Sequence, residues 1–210
     1  MNVRHQSSSY TTRITSLLFL TFLFTVIFSI KDASAQSSIV YLPVMQAAEN
    51  NEVDRRRDGC EEANSQERAI MTLVENDAGQ QRPFVVCNSV LAAVAHDKAV
   101  DMATRNYFGH TNPEGVGANT LVRNANYPLP SYYGSNLDSN NIESLAAGYD
   151  TVEKAWVAWM ESSGHRTHLL GLNSFYGEQV EIGVGYAYSE SSLYKHYWVF
   201  FSAYSEDPEE

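Results

Sequence analysis

Apolar positions between residues 61 and 105 recur at helical spacing. From Glu61 to Asp77, Ala63, Ile70, Leu73 and Val74 share one side. Ala78-Gly79 then closes the run where a helix C-terminus favours glycine. Asn88 or Ser89 can cap the next helix. There Leu91, Ala95, Ala99 and Met102 follow at spacings of four, four and three, a single buried stripe. His96, Asp97, Lys98 and Asp101 lie mostly off the stripe, which places His96 on an exposed face with no assigned role. The helix should run out near Asn106 and deliver Tyr107, Phe108 and His110 to a turn built by Asn112-Pro113 and Glu114-Gly115. Ala118 to Asn126 suits a short helix. Tyr127 to Asn140 reads as a loop, whose Tyr127, Tyr132 and Tyr133 would pack as a lid or line the rim of a groove. Asp150 or Thr151 starts another helix, with Val152, Ala155, Trp156 and Trp159 on one face. Ser162-Ser163-Gly164 breaks it, and His165 to Leu170 forms a last helical turn.

The period then changes. Ile182, Val184, Tyr186 and Tyr188 alternate with Glu181, Gly183, Gly185 and Ala187, which is strand behaviour. Tyr194 to Tyr204 is a second strand, apolar on both faces around Trp198, Val199, Phe200 and Phe201. The short connection between the two predicts an antiparallel hairpin. A strand apolar on both faces must be covered on both, and helices are the available cover. The expected fold is therefore α+β, a three-layer α–β–α sandwich around a central, mainly antiparallel sheet. No internal repeat is present.

The first 35 residues alter this picture little, because they read as an export leader rather than fold. Arg4 and Arg13 provide the positive start, Ile14 to Ile30 is a chargeless apolar run of 17 residues, and Ala33-Ser34-Ala35 gives the small-x-small cleavage pattern. The alternative is an uncleaved anchor, although that run is close to the lower limit for spanning a bilayer. Residues 36–60 form a lead-in, residues 61–205 the main domain, and residues 206–210 an acidic tail expected to be disordered. Without the leader the chain holds 11 basic and 24 acidic residues, a balance of −13 with histidines neutral. Such a surface repels phosphate backbones, which disfavours nucleic-acid partners. Cys60 and Cys87 both fall in the exported part. An even count in an oxidising compartment favours one disulfide, the alternative being two buried thiols. Neither cysteine sits in a CxxC or nucleophile-like setting.

Familiar catalytic signatures are absent: there is no HExxH, GxSxG, P-loop or dinucleotide-type glycine cluster. Scattered histidines and carboxylates remain. His110 follows Gly109 at a helix end, and His165 follows Gly164 before Arg166. On composition alone, a histidine in either place is more often a hydrogen-bond anchor than a ligand. Glu143 is more informative, because Ile142-Glu143-Ser144-Leu145-Ala146-Ala147 is too apolar for a solvated face. A carboxylate buried there needs a cation, a metal or several donors. His110, His165 and Glu143 are expected to meet in one cleft. His168, three residues after His165, is expected at the surface, and His196 between neighbouring strands.

One ordered set of motifs carries a resemblance. Phe108-x-His110-x-x-Pro113-x-Gly115 is followed by Glu143-x-x-Ala146-x-Gly148-Tyr149, and then by Trp159-x-x-Ser162-x-Gly164-His165-Arg166-x-x-Leu169-Leu170. Gly183-Val184-Gly185-x-Ala187 and Trp198-x-x-Phe201 complete the set. Over roughly Ala63 to Tyr204 the chain resembles the CAP superfamily: cysteine-rich secretory proteins, antigen 5 and pathogenesis-related 1 proteins, or SCP-like extracellular domains. The likeness is nearest to its bacterial branch. The resemblance implies an α–β–α sandwich with a central cleft holding two histidines and two acids. By motif the histidines are His110 and His165, and the first acid is Glu143. Glu161 is the nearest candidate for the second. In members that bind zinc, the histidines are its protein ligands. Ile142 and Ser144 stand where the family commonly has glycine and asparagine, and His168 where many relatives have asparagine.

Two imidazoles supply half of a tetrahedral zinc shell, so such a site would be open to water or to a substrate. The leading expectation is a secreted, monomeric binding module for a lipid, glycan or peptide ligand, able to hold a divalent metal such as zinc. It would have no stable membrane span once the leader is removed. A cell-surface interaction domain with remnant histidines comes second. A zinc-dependent hydrolase with Glu143 as general base comes third.

Overall fold

The computed structural model describes residues 60–205. The leader, the lead-in before Cys60 and the acidic tail lie outside the described residues. Helix α1 (Ser65–Asn76) begins at a capping box: Asn64 Oδ1 accepts from the Gln66 and Glu67 amides, and Glu67 Oε2 accepts from Asn64 N at 2.8 Å. Helix α2 (Ser89–Arg105) is capped by Asn88 and ends at Asn106, which takes the left-handed conformation at φ 56°. Asn106 Oδ1 then accepts from Leu193 N at 2.7 Å, tying this helix end to the loop before the last strand. Helix α3 (Ala118–Asn124), α4 (Val152–Glu161, capped by Thr151), α5 (Ser163–Leu169) and the single-turn α6 (Ser174–Gly177) follow.

Four strands form one sheet: β1 (Val86–Cys87), β2 (Glu143–Ala147), β3 (Glu181–Tyr188) and β4 (His196–Ala203), in the order β1-β3-β4-β2. The β3–β4 and β4–β2 pairs are antiparallel, with Val184 opposite Phe200 and Leu145 opposite Val199, whereas β1 runs parallel to β3. The expected hairpin is present, closing from Tyr188 opposite His196. Both short edge strands went unassigned from sequence.

The alternation of the central strands sorts the two cores. Leu145, Tyr197, Val199 and Phe201 pack with Leu91, Ala95, Ala99 and Met102 of α2 and Val122 of α3. Ala146, Ile182, Val184, Trp198 and Phe200 pack with Ile70 and Val74 of α1, Ala155 and Trp159 of α4 and Leu169 of α5. Helices therefore cover both faces, and the α–β–α sandwich is realised. Gly183 and Gly185 let α2 lie directly on β3. A Cβ at Gly185 would fall 2.0 Å from the Ala95 carbonyl oxygen, and one at Gly183 would fall 2.2 Å from the Leu91 carbonyl carbon.

Beyond the end of β1, the edge of β3 is met by a side chain. Glu67 Oε1 accepts from Tyr186 N at 2.9 Å and lies 2.8 Å from His96 Nδ1. His96 is thus half-exposed, as its place off the stripe predicts, but it is paired with a buried carboxylate. Cys60 and Cys87 form a disulfide that pins the start of the described chain to β1. The loop tyrosines divide: Tyr127 and Tyr133 are buried and belong to the core, and only Tyr132 is exposed.

Candidate functional site

Glu143 is the first residue of edge strand β2, on the side that faces α2. Its side chain has no exposure. The turn after α2 brings His110 to it, with Nδ1 2.7 Å from Glu143 Oε2 and the imidazole 52% exposed. An ionised Glu143 can only accept, which would make Nδ1 the protonated nitrogen of the pair and leave Nε2 as the ring's acceptor. Burial raises the Glu143 pKa, opposed by the His110 hydrogen bond and the Lys98 charge. Oε1 is buried with no hydrogen-bond partner among the described residues.

His165 enters on α5, from the other layer, and is half-buried. Burial lowers its pKa and the neighbouring His110 lowers it further, so the two imidazoles lie within electrostatic reach of each other. Glu161, exposed at the end of α4, borders a surface depression with Tyr149, Lys154 and Val157. Among the described residues, no hydrogen bond or ion pair joins Glu161 to either histidine or to Glu143. Phe108, two residues before His110, and Tyr194 are exposed aromatics with ring centroids 5.5 Å apart.

The surface position expected for His168 is overturned. Only 3% of the residue is exposed. Its Nδ1 lies 2.7 Å from Ser144 Oγ on β2, its Nε2 lies 2.9 Å from Ser202 Oγ on β4, and the ring packs on Tyr176 and Phe200. The buried Arg82 guanidinium adjoins it, donating to the carbonyls of His168, Leu169 and Gln179 and to Ser202 Oγ. Those acceptors are all neutral, and burial lowers the Arg82 pKa to about 10. Burial, then the Arg82 charge, hold the His168 pKa well below its usual value. His168 therefore binds a proton more readily unfolded than folded. Its contribution to stability is present above about pH 6.5 and is lost as the pH falls, at up to about 1.4 kcal/mol per pH unit. Urea unfolding between pH 5 and 7.5 should show this slope flattened in His168→Asn. Glu143, shifted in the opposite sense, is common to both proteins and drops out of the comparison.

Lys98 was missed. It lies three residues after Ala95 and four before Met102, at the margin of the buried stripe, and is 3% exposed. Its Nζ donates to Tyr107 Oη at 3.2 Å and lies 5.0 Å from that ring's centroid, while Tyr107 Oη donates to Asp101 Oδ2 at 2.6 Å. Burial lowers the Lys98 pKa, against the charges of Glu143 and Asp101.

A profile of the cysteine-rich secretory protein family, CAP, matches residues 52–201. The chain belongs to the CAP family. Over 127 residues the CAP domain is 28% identical to the protein YkwD of Bacillus subtilis (strain 168), covering 60% of this chain and 44% of YkwD. Its fold is similar to that of an extracellular protein containing an SCP domain from Bacillus anthracis str. Ames. That likeness has a TM-score of 0.50 at 22% identity, over 67% of this chain and 41% of the other. The chain thus matches less than half the length of these two relatives. Among the described residues no helix is long and apolar enough to cross a membrane.

Proposed function

We propose that this CAP domain is an extracellular ligand-binding module whose site is a cleft lined by His110, His165 and Glu143. In this reading the cleft takes a lipid, glycan or peptide ligand and can hold a divalent metal such as zinc. The observation that carries it is the His110–Glu143 pair: a fully buried carboxylate orients a half-exposed imidazole at 2.7 Å. Metal-ligating histidines are usually held in this way, with the second ring nitrogen fixed by a carboxylate. The leader pattern, the disulfide and the family's secretory character support an extracellular setting.

The donor set fits an open metal site and does not fit a closed one. Among the described residues no three or more His, Cys, Asp or Glu side chains are grouped to hold an ion. His110 and His165 would be the protein ligands, with water or the ligand filling the remaining positions. Zinc, when bound, would supply Lewis acidity to whatever occupies those positions. His110 and His165 would bind it, and Glu143 would hold the His110 ring in place.

The hydrolase alternative has one observation in its favour, the burial that raises the Glu143 pKa toward that of a useful general base. Against it, the Glu143 side chain has no exposure and one oxygen is engaged by His110. Binding is therefore placed ahead of hydrolysis. Calorimetric zinc titration of the full chain is expected to give one site, lost in both His110→Ala and His165→Ala. Binding unchanged in either folded variant would remove the cleft reading. Hydrolysis of a peptide or ester library that vanishes in folded Glu143→Gln would restore the enzyme.

A further inference from the structure

Behind the His110–Glu143 pair, two buried polar groups are incompletely satisfied. Glu143 Oε1 has no hydrogen-bond partner among the described residues. Lys98, a cation 3% exposed, has three N–H donors and shows one acceptor, Tyr107 Oη. Lys98 belongs to the buried side of α2, and α2 packs on the sheet face to which Glu143 points. No direct ion pair forms between them, but each charge acts on the other: Glu143 favours the charged form of Lys98, and Lys98 that of Glu143.

A buried carboxylate whose one side-chain hydrogen-bond partner among the described residues is a half-exposed imidazole would leave most of its desolvation uncompensated. A lysine ammonium inside the core is costly in the same way, and the attraction between the two charges offsets part of both costs. The ammonium is also held from behind. Tyr107 accepts from it and presents its ring face, and Tyr107 is in turn fixed by Asp101. The backbone that carries Tyr107 continues three residues later into His110, so one short segment carries both the anchor of the lysine and the imidazole.

We infer that Lys98 is a positioning residue for the His110–Glu143 pair, a buried charge partner that holds the carboxylate toward α2 and so fixes the tautomer and orientation of His110. It touches neither ligand nor metal. The inference rests on the proposed site only for its second readout below, because the first is made on the metal-free protein.

The test is imidazole 15N NMR of His110 in the full metal-free chain, with zinc titration alongside. Wild type should show one tautomer, protonated at Nδ1. Lys98→Met, which keeps an apolar stem and removes the charge, should give averaged tautomer shifts. It should also weaken zinc binding by about 10-fold, the lower end for the loss of an outer partner of a metal ligand. Lys98→Arg should restore both. If Lys98→Met does not fold, Tyr107→Phe, which leaves the lysine charged but unanchored, should broaden the tautomer distribution in the same direction. A wild-type His110 spectrum in folded Lys98→Met, or in Tyr107→Phe where that is the variant measured, would overturn the inference. Absence of zinc binding in wild type with a Lys98-dependent tautomer would overturn the metal reading and leave this one standing.

Discussion

Gly185→Ala is expected to destabilise the domain by about 3 kcal/mol or more, beyond the usual range for overpacking. The added methyl would lie 2.0 Å from the Ala95 carbonyl oxygen and 2.2 Å from its carbonyl carbon. Both are backbone atoms in the middle of α2, so no side-chain rotation relieves the clash. The helix must lift from β3, and Leu91, Ala95, Ala99 and Met102 lose contact with the sheet together. Gly164→Ala is the control. A methyl there meets nothing within 4 Å, and helix α5 should gain slightly from alanine. Urea unfolding of the two variants should separate them by several kilocalories per mole, on a backbone that bears no left-handed strain at either glycine. Equal midpoints would mean that α2 does not rest on β3 as closely as described.

The second large effect is expected from the disulfide. Cys60–Cys87 closes a loop with a sequence separation of 27. In the chain-entropy account a loop of that size restrains the unfolded chain by about 3.5 kcal/mol. The Cys60→Ser, Cys87→Ser double variant should lose a stability of that order. The bond also anchors β1, which is two residues long and cannot hold its place by pairing alone. Loss should therefore be local as well as global, with faster amide exchange at Val86 and Asn88, whose N–H groups bond to Val180 and Ile182. A double variant matching wild type in both measurements would show that β1 is held by other contacts.

Much of this domain was legible in the sequence, for identifiable reasons. Helix α2 announced itself because Leu91, Ala95, Ala99 and Met102 repeat at one period, and β4 because its apolar run admits cover on both sides. The sandwich follows from those two. Strand β2 was hidden for the opposite reason: its first four residues are buried, so five residues show no alternation. Glu143 stood out in the same stretch, since a carboxylate among apolar neighbours needs a partner, and His110 is that partner. Lys98 and His168 were misread by one habit, that of assigning polar side chains to solvent. Lys98 is buried, and its ammonium donates to Tyr107 Oη, which lies just beyond the end of its helix. His168 is satisfied by Ser144 and Ser202, which lie 24 and 34 residues away along the chain. No local pattern in α5 could indicate that two strand serines would converge on one ring.

The placement of β2 at the edge of the sheet bears on how ligand and fold depend on one another. His110 is delivered by α2 on one face, and His165 by α5 on the other. Anything held by both imidazoles therefore spans the edge and fastens the two helical layers together. Binding and stability become two readings of one linked equilibrium. At a free concentration a hundred times its dissociation constant, a ligand that binds only the native form adds about 2.7 kcal/mol to the unfolding free energy. In a compartment where the metal or ligand fluctuates, the domain would report its occupancy through its resistance to unfolding and proteolysis.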